Sequence, residues 1–202
     1  MPIRAVIFDL DGTITRPYLD FGVIRDEIGI GQSEGPVLEA MEKMTTEQRQ
    51  RAERILYHHE ERALAASTLN PGARETLAEL RRRALPIGIL TRNRKCNAEA
   101  VASKHDLHFD AIVGREDGPV KPDAFGVLHL CQEFGVSPAE TLLVGDYVHD
   151  LECARAAGAT AVLIANHRRA DEFARQADFR IDTLDEILRI IDESDPAEQA
   201  VA

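Results

Sequence analysis

The chain has 202 residues, 44% of them hydrophobic, which is enough to bury the interior of one ordinary domain or of a core carrying an insertion. Its formal net charge of −11 excludes unguided attraction to nucleic acid or anionic lipid, because phosphate contacts need Lys and Arg in clusters. No stretch approaches the roughly 20 apolar residues of a membrane span, and "MPIRAVIFDL" lacks the length and cleavage site of a secretory signal.

A cytoplasmic address is therefore expected. Cys96, Cys131 and Cys153 are odd in number and far apart, which fits reduced, mostly buried thiols; their spacing matches no zinc motif. The first predicted strand runs from Ile3 to Leu10 and ends on acids: "VIFDLDGTIT" sets Asp9 and Asp11 two residues apart, ahead of Gly12. From about Arg16 to Leu69 no strand-like run occurs. "TTEQRQRAERILYHHEERALAA" has a helical pattern, from a cap at Thr45 or Thr46 to the breaker "NPG" at 70–72. Residues 16–70 are expected to form a small helical cap over the strand ends, with 1–15 and 71–202 as the core. Within it, "HHEE" at 58–61 reads as a solvated helix face, since adjacent histidines point different ways. Arg16, Tyr18, Phe21 and Arg25, at its entry, are candidates for substrate contact or equally for packing.

Beyond the insertion, Arg74 to Ala84 reads as a helix with Leu77, Leu80 and Ala84 on one side and the solvated run "RRR" at 81–83. Strands are predicted at Ile87–Thr91, Ala111–Gly114, Thr141–Asp146 and Ala161–Ala165. A helix is predicted at Asp123–Phe134 with Phe125, Leu128 and Cys131 in step, and "SPAE" at 137–140 is a capped helical turn. The strands are continuously apolar, as strands covered on both faces are. The fold class is α/β, a doubly wound parallel sheet with a helical insertion. The acidic tail "DESDPAEQAVA" is expected to fray.

Ligands in such a sheet bind at the carboxyl ends of the strands, where strand order reverses. Asp9 and Asp11 leave the first strand there, and Asp146 and Asp150 of "GDYVHD" leave the fourth. If those strands are neighbours, the carboxylates converge and need a cation; all-oxygen ligation points to Mg²⁺. Asp150, one helical turn beyond Asp146, is placed to reach the ion through water or to orient its neighbours. His149 reads as an exposed helix residue. Thr91 at the tip of the second strand offers a hydroxyl and backbone N–H groups to a phosphate, and Lys121 of "VKPD" offers a positive charge in a loop stiffened by Pro119 and Pro122.

The ordered set "DLDGT" at 9–13, Thr91, Lys121 with "KPD", and "GDYVHD" at 145–150 resembles the haloacid dehalogenase superfamily in its phosphatase branch. A helical insertion directly after the first motif is similar to the caps of phosphoglycolate phosphatase-like members. The resemblance implies a phosphoric monoester hydrolase with Asp9 as nucleophile and Asp11 as general acid and base. It also implies Thr91 and Lys121 as phosphate binders, and Asp9, the Asp11 carbonyl and Asp146 as Mg²⁺ ligands. Gly12, Arg92 and Asn93 join the phosphate-binding candidates. Arg92 stands where the family's usual Asn follows the Thr, which shifts Asn93 by one position. The dehalogenases lack the second acid of the first motif, so Asp11 favours phosphate chemistry. A small soluble phosphate ester is the expected substrate, with no nucleic-acid or membrane partner. A phosphomutase and a phospho-receiver module are the alternatives.

Overall fold

The computed structural model describes residues 1–31 and 33–195. The chain forms two compact units, Met1–Pro17 together with the chain from Thr68 onward, and Tyr18–Ser67.

The larger unit is built on a six-stranded, wholly parallel sheet in the order β3-β2-β1-β4-β5-β6. Its strands are β1 (Ala5–Phe8), β2 (Ile87–Leu90), β3 (Ala111–Val113), β4 (Thr141–Gly145), β5 (Thr160–Ile164) and β6 (Phe179–Ile181). In β1, β2 and β4 every residue is buried, as the unbroken apolar runs require. Ile7 and Leu143 are register partners and, with Leu163, belong to one core cluster with Leu130, Leu151 and Phe173. Each contributes roughly 1.5–3 kcal/mol of burial. Strand order reverses between β1 and β4, which pair from Ala5 with Thr141 to Phe8 with Val144. That switch point is the crevice the acids were expected to share.

Helix formation follows local chemistry, with some shifts. The smaller unit holds α1 (Phe21–Ile28), α2 (Val37–Glu42) and α3 (Thr46–Ala66) around Ile24, Val37, Met41, Ala52 and Leu56. Thr45 caps α3 in a reciprocal capping box with Gln48. The "HHEE" segment is not uniformly solvated: His58 is exposed, His59 bonds Glu27 at 3.0 Å, and Glu60 is buried. Arg25 donates to the Gly31 and Gly35 carbonyls, so inside its own unit it fastens a loop.

In the larger unit, α4 (Ala73–Arg82) buries Leu77 and Leu80, but Ala84 lies beyond its end, exposed at φ 57°. Arg81 and Arg82 are exposed, whereas Arg83 is half-buried between Glu79 and Asp192. Between β2 and β3 runs α5 (Lys95–Lys104). The next helix, α6 (Phe125–Phe134), buries Val127, Leu130 and Cys131, and Leu128 is 48% exposed. Its inward face is turned from the expected one because Gly126 meets the sheet: a Cβ there would stand 2.2 Å from Leu90 Cδ1. Ser137 and Glu140 form the expected capping box on the turn Pro138–Glu140. The remaining helices are α7 (Val148–Ala157), α8 (Ala170–Phe173) and α9 (Glu186–Ser194).

The expected fraying tail begins instead as the end of α9. Asp192 pairs with Arg83, and Ser194 Oγ accepts from Ile3 N at 3.0 Å. From residue 196 on, that expectation lies outside the described residues. Among the described residues no helix is long and apolar enough to cross a membrane. All three cysteines are free thiols; Cys131 and Cys153 are buried and Cys96 is exposed.

Candidate active site

Asp9 is the first residue past β1, yet the sheet still holds its backbone, Asp9 N donating to Val144 O at 2.8 Å. The rigid strand therefore fixes where its carboxylate stands. Asp146 follows β4 directly, and Asp150 lies on the first turn of α7. Carboxylate oxygens of Asp9, Asp146 and Asp150 lie within 4.8 Å of one another, and all three residues are buried.

Lys121 enters this cluster from the loop after β3. Its ammonium is 2% exposed and donates to Asp9 Oδ1 and to Asp150 Oδ1, at 2.6 Å each. Burial disfavours its charge, but Asp150 and Asp9 outweigh that and raise its pKa above the ordinary lysine value. Burial pushes Asp9 up to about 7, with Lys121 pulling down and Asp150 pushing up. Asp146 is pushed up to about 8 by burial and then by repulsion from Asp9 and Asp150. Asp150 Oδ2 accepts from Tyr147 N at 3.1 Å, so it braces the turn that carries Asp146.

Asp11 is half-buried and points elsewhere: its Oδ2 accepts from Asn93 Nδ2 at 2.9 Å, and its side chain is outside the three-acid cluster. Burial raises its pKa, with the Asn93 hydrogen bond and Lys121 acting the other way. Asn93 thus orients Asp11, and its own Oδ1 accepts from Arg94 N and from Asn97 Nδ2, both at 2.8 Å. Thr91 is buried at the end of β2, and its Oγ1 accepts from Asn93 N at 3.0 Å, leaving the hydroxyl hydrogen to donate. Arg92 reaches across to donate to the Lys121 carbonyl.

Gly12 is required twice over. Its φ is 98°, and a Cβ would stand 2.3 Å from Asp146 Oδ2. Gly12→Ala is expected to cost roughly 1–3 kcal/mol of stability and, by displacing Asp146, about tenfold or more in turnover. Thermal unfolding and steady-state kinetics check both; unchanged kinetics would show that the turn yields without moving the acid.

Sequence reasoning thus finds the acids, Thr91 and Lys121 but misses Asn70, Asn97, Asn166 and Tyr147. Only Tyr147 carries a signal, an aromatic inside "GDYVHD". Its ring packs edge-on against His149, His167 and Phe173 at 5.0–5.2 Å. His149 is accordingly half-buried and not exposed as expected.

The profile of the haloacid dehalogenase-like hydrolases matches residues 3–158. The chain belongs to that family. It is 28% identical to a haloacid dehalogenase-like hydrolase domain-containing protein of Arabidopsis thaliana, over 94% of this chain and 84% of that one. It is 29% identical to a phosphoglycolate phosphatase of Chromobacterium violaceum, over 92% and 95%. Among solved structures, a hydrolase from Pseudomonas syringae superposes with a TM-score of 0.80 at 24% identity, over 94% of this chain and 98% of that one. Family membership makes the chain an enzyme, which sets the receiver-module alternative aside.

The donor set fits a divalent cation. Three buried carboxylates face one ammonium, a surplus of two negative charges when all are ionised; burial first, and repulsion among the acids second, raise the pKa values of Asp9 and Asp146. Hard oxygen donors suit a hard divalent cation.

Proposed function

We propose that this hydrolase is a Mg²⁺-dependent phosphatase of small soluble phosphate monoesters, working through an aspartyl-phosphate on Asp9. The observation that carries the reading is the Lys121 ammonium between Asp9 and Asp150, with Asp146 beside them, at the sheet's switch point. An ionised carboxylate attacks phosphorus without a general base, and one close to a lysine is held ready for in-line attack. Asp9 and Asp146, with Asp150 and the Asp11 carbonyl, would hold the ion. When bound, Mg²⁺ supplies positive charge that keeps Asp9 ionised and lowers its repulsion with an incoming phosphate.

The chain's own residues take the other tasks. Lys121 and Thr91 hold the phosphoryl oxygens. Asp11 gives a proton to the departing alkoxide and later takes one from the water that cleaves the acyl-phosphate. Burial raises its pKa, which favours the protonated form that a departing alkoxide needs. The 29% identity to a phosphoglycolate phosphatase over nearly the whole chain supports an anionic small-molecule ester. The helical unit 18–67 is read as the substrate-selecting cap. Three free thiols fit the reducing cytoplasm.

Phosphate release from p-nitrophenyl phosphate and a panel of metabolite esters, with Mg²⁺ and with EDTA, tests the reading; no release from any ester would end it. A sugar phosphate isomerised without phosphate release would point to the mutase instead. Mg²⁺ at a hundredfold excess over its Kd should stabilise the fold by about 2.7 kcal/mol, or roughly 5–10 °C in a chain of this size. Asp146→Asn should lose most of that shift.

A further inference from the structure

Asn70, where the chain returns to the sheet, is 7% exposed. Its amide nitrogen lies 3.0 Å from Gly12 O, 2.7 Å from Thr13 O and 3.1 Å from Thr15 O. A carboxamide nitrogen has two hydrogens, so three acceptors must share them. The backbone N–H of Asn70 takes Ile14 O at 2.9 Å. One residue therefore donates to all four consecutive carbonyls from Gly12 to Thr15. Gly12 O also accepts from Asn166 Nδ2. Inside the turn, Gly12 N bonds Thr15 O at 2.9 Å and Thr15 N bonds Leu10 O at 3.0 Å. The peptide that joins Asp11 to Gly12 is thus tied to Thr15 O, and Thr15 O is tied to Asn70.

We infer that Asn70 is a positioning residue: its side-chain amide clamps the Leu10–Thr15 turn and so keeps Asp11 in register with Asp9 for proton transfer. It touches no substrate and acts through backbone carbonyls alone. The kinetic part rests on the phosphatase reading; the clamp itself does not. Without the side-chain donor, Gly12 O keeps Asn166 and Thr15 O keeps Gly12 N, but Thr13 O loses the shortest of the three bonds, at 2.7 Å, and the turn must open to let water reach it. Substrate capture by Thr91 and Lys121 depends on other loops and stays intact.

Asn70→Ala and Asn70→Ser are to be compared with the unaltered chain in two measurements, amide hydrogen exchange on the metal-free protein and kinetics with p-nitrophenyl phosphate and Mg²⁺. In Asn70→Ala the Gly12 and Thr15 amides should exchange about tenfold faster or more, with β4 and β5 amides unchanged. Its kcat per folded molecule should fall roughly 10- to 100-fold while KM stays within about twofold. Asn70→Ser, which keeps one O–H donor, should fall between, and it carries both measurements if the alanine variant does not fold. Turn amides as protected as before, or kcat within about twofold with only a lowered melting temperature, would overturn the inference. If the unaltered chain hydrolyses no ester, the phosphatase reading fails, and the exchange rates alone decide the clamp.

Discussion

Asp9→Asn is expected to lower phosphate release by roughly 10⁴-fold or more, because it removes the attacking oxygen and one charge from the proposed ion site while Thr91 and Lys121 stay in place. The fold should survive. Asparagine has the same shape, and its amide oxygen still accepts from Lys121, which now donates to Asp9 at 2.6 Å. The metal-free variant should even match or exceed the parent in melting temperature at about pH 8. Burial raises Asp9 from the ordinary 3.8 to about 7, so the folded chain keeps a proton that the unfolded chain has already released. Stability from that group is full below about pH 4 and is lost as pH rises toward 7; an amide has no such loss. Thermal scans across pH, run beside the kinetic assay, separate the two effects. Residual turnover within about a hundredfold of the parent would move the nucleophile's role away from Asp9.

The same two facts explain why the site was legible where it was. An apolar strand that ends on acids announces itself, because nothing in the packing of β1 calls for Asp9. The meeting of Asp9 with Asp146 followed from the switch-point rule, since β1 and β4 are neighbours in the sheet. What escaped is what depends on distance along the chain. Asn70 stood in the sequence as one letter of a breaker, and its partners are 55–58 residues away. Asn93 follows Thr91 closely enough to be a phosphate-binding candidate, and its bond to Asp11 is set by rotamer and not by spacing. The inward face of α6 hinged on Gly126 fitting under Leu90, and periodicity counts a glycine as nothing. Strand β6 has three residues, of which Phe179 and Arg180 are exposed, so it lacks the apolar run by which the other strands were found. Helices α1 and α2, of eight and six residues, were too short for a periodic signal.

Lys121→Met tests the charge balance from the other side. Methionine keeps the length and apolar stem of the side chain but removes the ammonium that is 2% exposed between Asp9 and Asp150. Breaking a buried pair leaves uncompensated charge and costs roughly 3–5 kcal/mol, or roughly 6–20 °C of melting temperature in a chain of this length. The deficit should depend on pH. Asp9 and Asp146 already sit near 7 and 8 with the lysine present, and without it the acids must rise further. The folded variant then retains protons that the unfolded chain has shed above about pH 4, so its stability falls steadily as pH rises. At about pH 5 Asp9 and Asp146 are neutral and the loss should be smaller; at about pH 8 it should be larger. Turnover should fall at every pH, since a phosphoryl group loses its cationic contact. A melting deficit of equal size at both pH values would show that Lys121 matters for packing and not for charge, and would remove the central support for an anion-handling site.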